Sequence, residues 1–120
     1  MAGTNCKELS ELEIRTLENI GKNVKYTRRN LLNVTLAEMA GNTGVSRDVI
    51  CRLEYMANGI KSTDTVYPSI STVIKFCNGV GVSPAELFDK DFKEDAVIQE
   101  KIVEHCKHFT EDKNTISLDD

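Results

Sequence analysis

The sequence predicts an all-α fold, and three observations carry that expectation. Apolar residues recur at three- to five-residue spacings along most of the chain. Ser or Thr precedes successive apolar stretches, with Glu three residues later at Ser10 and at Thr35, the pattern of a reciprocal N-terminal cap. With 40% apolar and 28% charged residues, the usage is that of a globular chain. The 120 residues suit one compact domain with at most a short appendage.

Leu9, Leu12, Leu17, Ile20 and Val24, with Ser10 and Glu13 as cap, predict a first helix from about residue 9 to Asn30, bent near Gly21. Thr35 and Glu38 open a short helix that reaches about Asn42, and Gly44 supplies a turn. Ser46 caps a third helix to about Met56, with Val49, Ile50 and Leu53 on its buried side. From Ala57 to Pro68 the pattern breaks into loop-forming residues. Ser69 starts a helix carrying Ile70, Val73, Ile74 and Cys77, which ends at Gly79 or Gly81. Ser83-Pro84 then places a cap and a first-turn proline ahead of Ala85–Phe88. A last helix from 93 to about 110 lines up Ile98, Ile102, Cys106 and Phe109, with Val97 and Val103 alongside, before the acidic tail Glu111–Asp120.

No stretch approaches the roughly 18 apolar residues of a membrane span, and Met1–Ser10 shows no basic-then-apolar signal pattern. A membrane protein and a secreted precursor are therefore not expected, and the expected compartment is the cytoplasm. Cys6, Cys51, Cys77 and Cys106 contain no Cys-x-x-Cys pair, and the last three fall in apolar helical patterns, so each reads as a reduced, packing thiol. His105, Cys106 and His108 invite a metal, but Cys106 points to the apolar stripe and no second ligand cluster accompanies them, so no metal or cofactor is expected. Without a Gly-rich phosphate loop, a Gly-x-Ser-x-Gly elbow or a His-Glu-x-x-His pair, no enzyme is expected either.

Thr35–Asn42 and Ser46–Met56, joined by a Gly-containing turn, have the spacing of a helix-turn-helix or of an ordinary helical hairpin. Charge favours the first. The formal net charge of −4 argues against nucleic acid until it is mapped: Ile20–Ser62 holds seven basic and three acidic residues, +4, and the remainder sums to −8. The block Lys22–Arg29 contains no acid.

Thr35-Leu-Ala-Glu-Met-Ala-Gly-Asn-Thr-Gly-Val-Ser-Arg-Asp-Val-Ile-Cys-Arg-Leu-Glu54 resembles the Cro-like (xenobiotic-response-element type, lambda-repressor-like) helix-turn-helix family. The elements that carry the likeness are Met39-Ala40, Gly44-Val45-Ser46 and Ile50-Cys51-Arg52-Leu53-Glu54. A second block, from Pro68-Ser69-Ile70 to Gly81-Val82-Ser83-Pro84-Ala85-Glu86-Leu87-Phe88, is similar to the family's closing helices. The likeness covers about residues 20–89. It implies a lambda-repressor-like five-helix DNA-binding domain there, preceded by an N-terminal helical extension over 1–19 and followed by an extra C-terminal helix and acidic tail over 90–120.

The resemblance further implies a transcriptional regulator, in the first place a repressor, that binds duplex DNA as a homodimer. Its second motif helix would read the major groove through Arg47, Asp48, Val49 and Arg52. Thr35, Ser46, Lys22, Arg28, Arg29, Asn58 and Lys61 are the candidate backbone contacts. For the dimer contact both the terminal helix and Lys7–Glu18 qualify. There are departures: Leu36 stands where the family usually has Gln, Cys51 replaces a common Ser and reads as packing, and 13 residues separate Glu54 from Pro68. Leu36, the acidic remainder and the apolar terminal helix also suit an alternative, a protein-interaction module such as an antitoxin or co-regulator.

Overall fold

The computed structural model describes residues 8–64 and 68–107, and every regular element among them is helical. Cys6, His108, Phe109 and the acidic tail lie outside the described residues. The first helix, α1 (Glu11–Tyr26), opens with the expected reciprocal cap: the Ser10 hydroxyl accepts from the Glu13 amide at 3.1 Å, and the Glu13 carboxylate accepts from the Ser10 amide at 2.8 Å. It passes through Gly21 as one helix, so a boundary at residue 19 falls inside it. Gly21 lets the α1 backbone come against the backbone at the end of the third helix.

The chain then widens into π turns over Thr27–Leu32 and stops at Asn33, which adopts a left-handed conformation at φ 53. The helix thus ends two residues beyond Asn30, in a geometry that apolar spacing does not announce. Such widened turns shift the register of the residues after them, and Leu32 is buried. Buried Thr27 keeps its hydroxyl satisfied on the Asn23 carbonyl at 2.8 Å.

Helix α2 (Leu36–Thr43) carries a second reciprocal cap from Thr35 and Glu38, and Gly44 closes it at φ 79, where a side chain would be strained. Ser46 caps α3 (Arg47–Tyr55), its hydroxyl accepting from the Val49 amide at 3.3 Å, and a 3-10 turn over Met56–Asn58 comes next. Helix α4 (Ile70–Val80) begins at Ser69 and ends at Gly81. Helix α5 (Pro84–Asp89) has the expected Ser83 cap and first-turn proline. After a short turn at Phe92–Glu94, Asp95 caps α6 (Ala96–His105).

One cluster forms the core, running from Ile20 and Val24 through Met39, Ile50 and Phe76. The seam of α6 belongs to it: Ile98, Ile102 and Cys106 are at most 2% exposed. That helix packs on the π turns and the 92–94 turn, so its apolar stripe is used within the chain. Three expectations about inward faces are corrected. Cys51 is exposed, and so are Ile70 and Ile74 on α4, whose buried face consists of Val73, Phe76, Cys77 and Val80. Val97 and Val103 also face outward.

The N-terminal segment has a function in the fold. The Leu9 amide donates to the Ser62 carbonyl at 2.8 Å, and the Glu18 carboxylate accepts from the Ile60 amide at 2.9 Å. The loop after α3 is thereby tied back to α1 through Glu18 and to the residue ahead of its cap through Leu9.

Candidate nucleic-acid interface

Helix α3 divides cleanly. Ile50 and Leu53 are buried in the core, whereas Arg47, Asp48, Cys51, Arg52 and Tyr55 are exposed along one stripe. The sequence reading missed two of these. Cys51 and Tyr55 stand four and eight residues after Arg47, a spacing that puts all three on one helix face; Cys51 read as a packing residue, and Tyr55 stood at the helix end with no motif to mark it. Tyr55 is 69% exposed, about one turn beyond Arg52 on the same helix. Val49 sits on the shoulder, half-buried and packed against the core, so less of it faces outward than of its neighbours.

Thr35 and Ser46 mark the N-terminal ends of the two motif helices, on the exposed surface. Each hydroxyl oxygen accepts a backbone N–H, which leaves its own proton free to donate to an anion. Lys22, Arg29, Asn58 and Lys61 are exposed. The Lys61 amide is held by the Asp64 carboxylate at 2.9 Å.

Arg28 has to be removed from the candidate phosphate contacts. Its guanidinium makes a two-point contact with the Glu54 carboxylate, with Nη2 to Oε1 at 2.9 Å, and Nη1 donates to the Val34 carbonyl at 2.9 Å. The side chains are only 11% and 10% exposed. The hydrogen bond to Glu54 raises the guanidinium further above its usual value, against the opposing effect of burial. Arg28 therefore joins the π turns, the strap before α2 and the last turn of α3. It positions α3 and does not face outward.

Among the described residues, Cys77, Cys106 and His105 are packing groups. Burial pushes the Cys77 thiol up to about 11 and raises that of Cys106 as well, so both are protonated, inert side chains at neutral pH. Cys106 contacts the Gly79 carbonyl through its Sγ at 3.6 Å, and the His105 ring lies over Gly81. Among the described residues no three His, Cys, Asp or Glu side chains are placed to share a metal, and no helix is long and apolar enough to cross a membrane.

On another face lies an apolar groove of about 580 Å³ between the first half of α1, α4 and α5. Leu12, Ile70, Ile74 and Phe88 line it and are exposed by between 37% and 78%. No residue of α3 takes part. No family profile, curated protein or solved structure matches the chain.

Proposed function

We infer that this chain is a sequence-specific DNA-binding transcriptional regulator with a lambda-repressor-like five-helix domain, and that α3 reads the major groove. The observation that carries this reading is the α2–Gly44–α3 unit, a helix-turn-helix whose second helix exposes Arg47, Asp48 and Arg52 over buried Ile50 and Leu53. An Arg pairs bidentately with guanine and an Asp accepts from the cytosine amino group, so this stripe has the donors and acceptors for base discrimination. A basic stretch in an acidic chain supplies the attraction to phosphate where α3 needs it. The chemistry is recognition and needs no bound cofactor.

Selecting duplexes from a random pool yields the preferred site. Arg47→Ala and Arg52→Ala are each expected to weaken binding to that site by on the order of 1–3 kcal/mol and to relax preference at one position. Unchanged preference in both variants would reject the base-reading role.

The operator is two-fold, and a second copy of the chain occupies the groove of Leu12, Ile70, Ile74 and Phe88. No residue of α3 lines that groove, so this docking would not use the reading helix. Ile74→Glu should convert a dimer to a monomer in sedimentation equilibrium and shorten the protected DNA to one half-site; a wild-type chain that sediments as a monomer would overturn this arrangement. The alternative reading, an interaction module acting through another protein, keeps Leu36 in place of the family's Gln and the acidic remainder as its motives, while the Ile98, Ile102 and Cys106 seam of α6 packs within the chain.

A further inference from the structure

The chain contains a second cleft, of about 600 Å³, between the C-terminal end of α1 with its π turns, the residues just after α3 and the turn at Asp91–Glu94. Lys22, Lys25, Arg29 and Lys93 line it, against the carboxylates of Asp91 and Glu94. Within the described residues none of the four cations forms an ion pair or a side-chain hydrogen bond. Four cations gathered in one cleft repel one another, and two acids at the rim leave a net positive site.

This cleft is built, because a buried amide fixes its far wall. Asn23, 1% exposed, donates to the Leu87 carbonyl at 2.9 Å and to the Lys90 carbonyl at 2.8 Å, and accepts from the Phe92 amide at 3.0 Å. Asn19 adds bonds to the Phe88 and Lys90 carbonyls. The segment carrying Lys93 is thus locked to α1, which fixes the Lys93 backbone on the same cleft that Lys25 and Arg29 line.

Its floor includes Ala57 and Asn58, directly beyond the C-terminal end of α3. With nine residues, α3 is roughly 13 Å long at 1.5 Å per residue. A recognition helix presents its N-terminal residues to the base edges, and the residues at and beyond its C-terminal end stand near the flanking backbone. Thr35 and Ser46 serve the N-terminal side, and the cleft lies on the other.

We propose that this cleft is a phosphate clamp in which Lys25 and Lys93, with Lys22 and Arg29, grip the duplex backbone that flanks the C-terminal end of α3. The proposal rests on the reading of α3 as the groove-reading helix, and it adds the segment after α5 to the DNA-binding surface. The clamp neutralises phosphates without reading bases, so it acts on every sequence alike.

The test is the salt dependence of binding by the full chain, for the selected site and for a random duplex, in wild type, in Lys25→Ala/Lys93→Ala and in Lys75→Ala as a control on α4. Each phosphate contact contributes about 0.9 to the slope of log K against log salt. The double variant should be shallower by about 1.8 on both duplexes, with the preference between them unchanged, and Lys75→Ala should match wild type. A slope unchanged in the double variant would overturn the clamp while leaving the reading of α3 intact. Wild-type chain that binds no duplex at low salt would overturn both. A parallel titration with inorganic pyrophosphate separates the sources of phosphate: binding that the double variant abolishes, with duplex slopes unaltered, would assign the cleft to a free phosphorylated ligand and reject the clamp.

Discussion

Arg28→Ala is expected to lower the unfolding free energy by about 3–5 kcal/mol, a large share of the roughly 5–15 kcal/mol that holds an ordinary domain folded. The cost comes from the groups left behind. The Glu54 carboxylate, 10% exposed, would lose both of its guanidinium contacts, and the Val34 carbonyl would lose its donor. Glu54→Ala should cost a similar amount by stranding the guanidinium with the Val34 carbonyl alone. Removing both charges is a different experiment. In Arg28→Met/Glu54→Leu no buried ion remains unpaired, so most of the loss should be recovered, short of the missing bond to Val34. Urea denaturation checks this, with an unchanged m-value showing that midpoint shifts report stability. Single variants that cost less than about 1 kcal/mol would mean that the pair behaves as a solvent-screened surface bridge.

The same pair shows where local pattern stops being informative. In the sequence Arg28 belongs to an acid-free basic block and reads as one more phosphate contact. Its partner lies 26 positions away on a different helix, and the pairing depends on how α1 and α3 are brought together. Helix starts are the opposite case. Ser10 with Glu13, Thr35 with Glu38, Ser46, Ser69 and Ser83 all cap the helices expected of them, because a cap is settled within four consecutive residues. Elements were therefore legible and their outward faces only partly so. Ile70 and Ile74 share the helical spacing of core residues, and spacing does not distinguish a face packed within the chain from one left open. Asn23 gave no signal, a polar residue in mid-helix whose three bonds all go to a segment more than sixty positions away. Of the candidate site, the stripe Arg47, Asp48 and Arg52 was readable because Ile50 and Leu53 fix the rotation of α3. Cys51 and Tyr55 share that stripe, but Cys51 read as a packing residue and no motif marked Tyr55.

Gly21→Ala and Gly41→Ala should move stability in opposite directions, although both put a methyl group into a helix. Helix propensity alone favours alanine by about 1 kcal/mol at each. At Gly41, in α2, an added Cβ meets nothing within 4 Å, so that gain should appear nearly whole, as a stabilisation of about 0.5–1 kcal/mol. At Gly21 the Cβ would stand 2.6 Å from the Ala57 nitrogen, 2.7 Å from the Leu53 oxygen and 3.0 Å from the Met56 carbonyl carbon. All three are backbone atoms, and no rotamer change can move them aside. Helix α1 has to retreat from the end of α3, which loosens Ile20 and Val24 on either side of the contact and strains the neighbouring Arg28–Glu54 pair. Overpacking of a well-filled site costs about 1–3 kcal/mol, and here the obstacle is main chain, so Gly21→Ala should lose about 2 kcal/mol or more after its propensity gain. Denaturation midpoints of the two variants beside wild type decide it. A Gly21→Ala chain as stable as Gly41→Ala would show that α1 can separate from α3 at no cost, and the rigid seating of the reading helix on α1 would have to be abandoned.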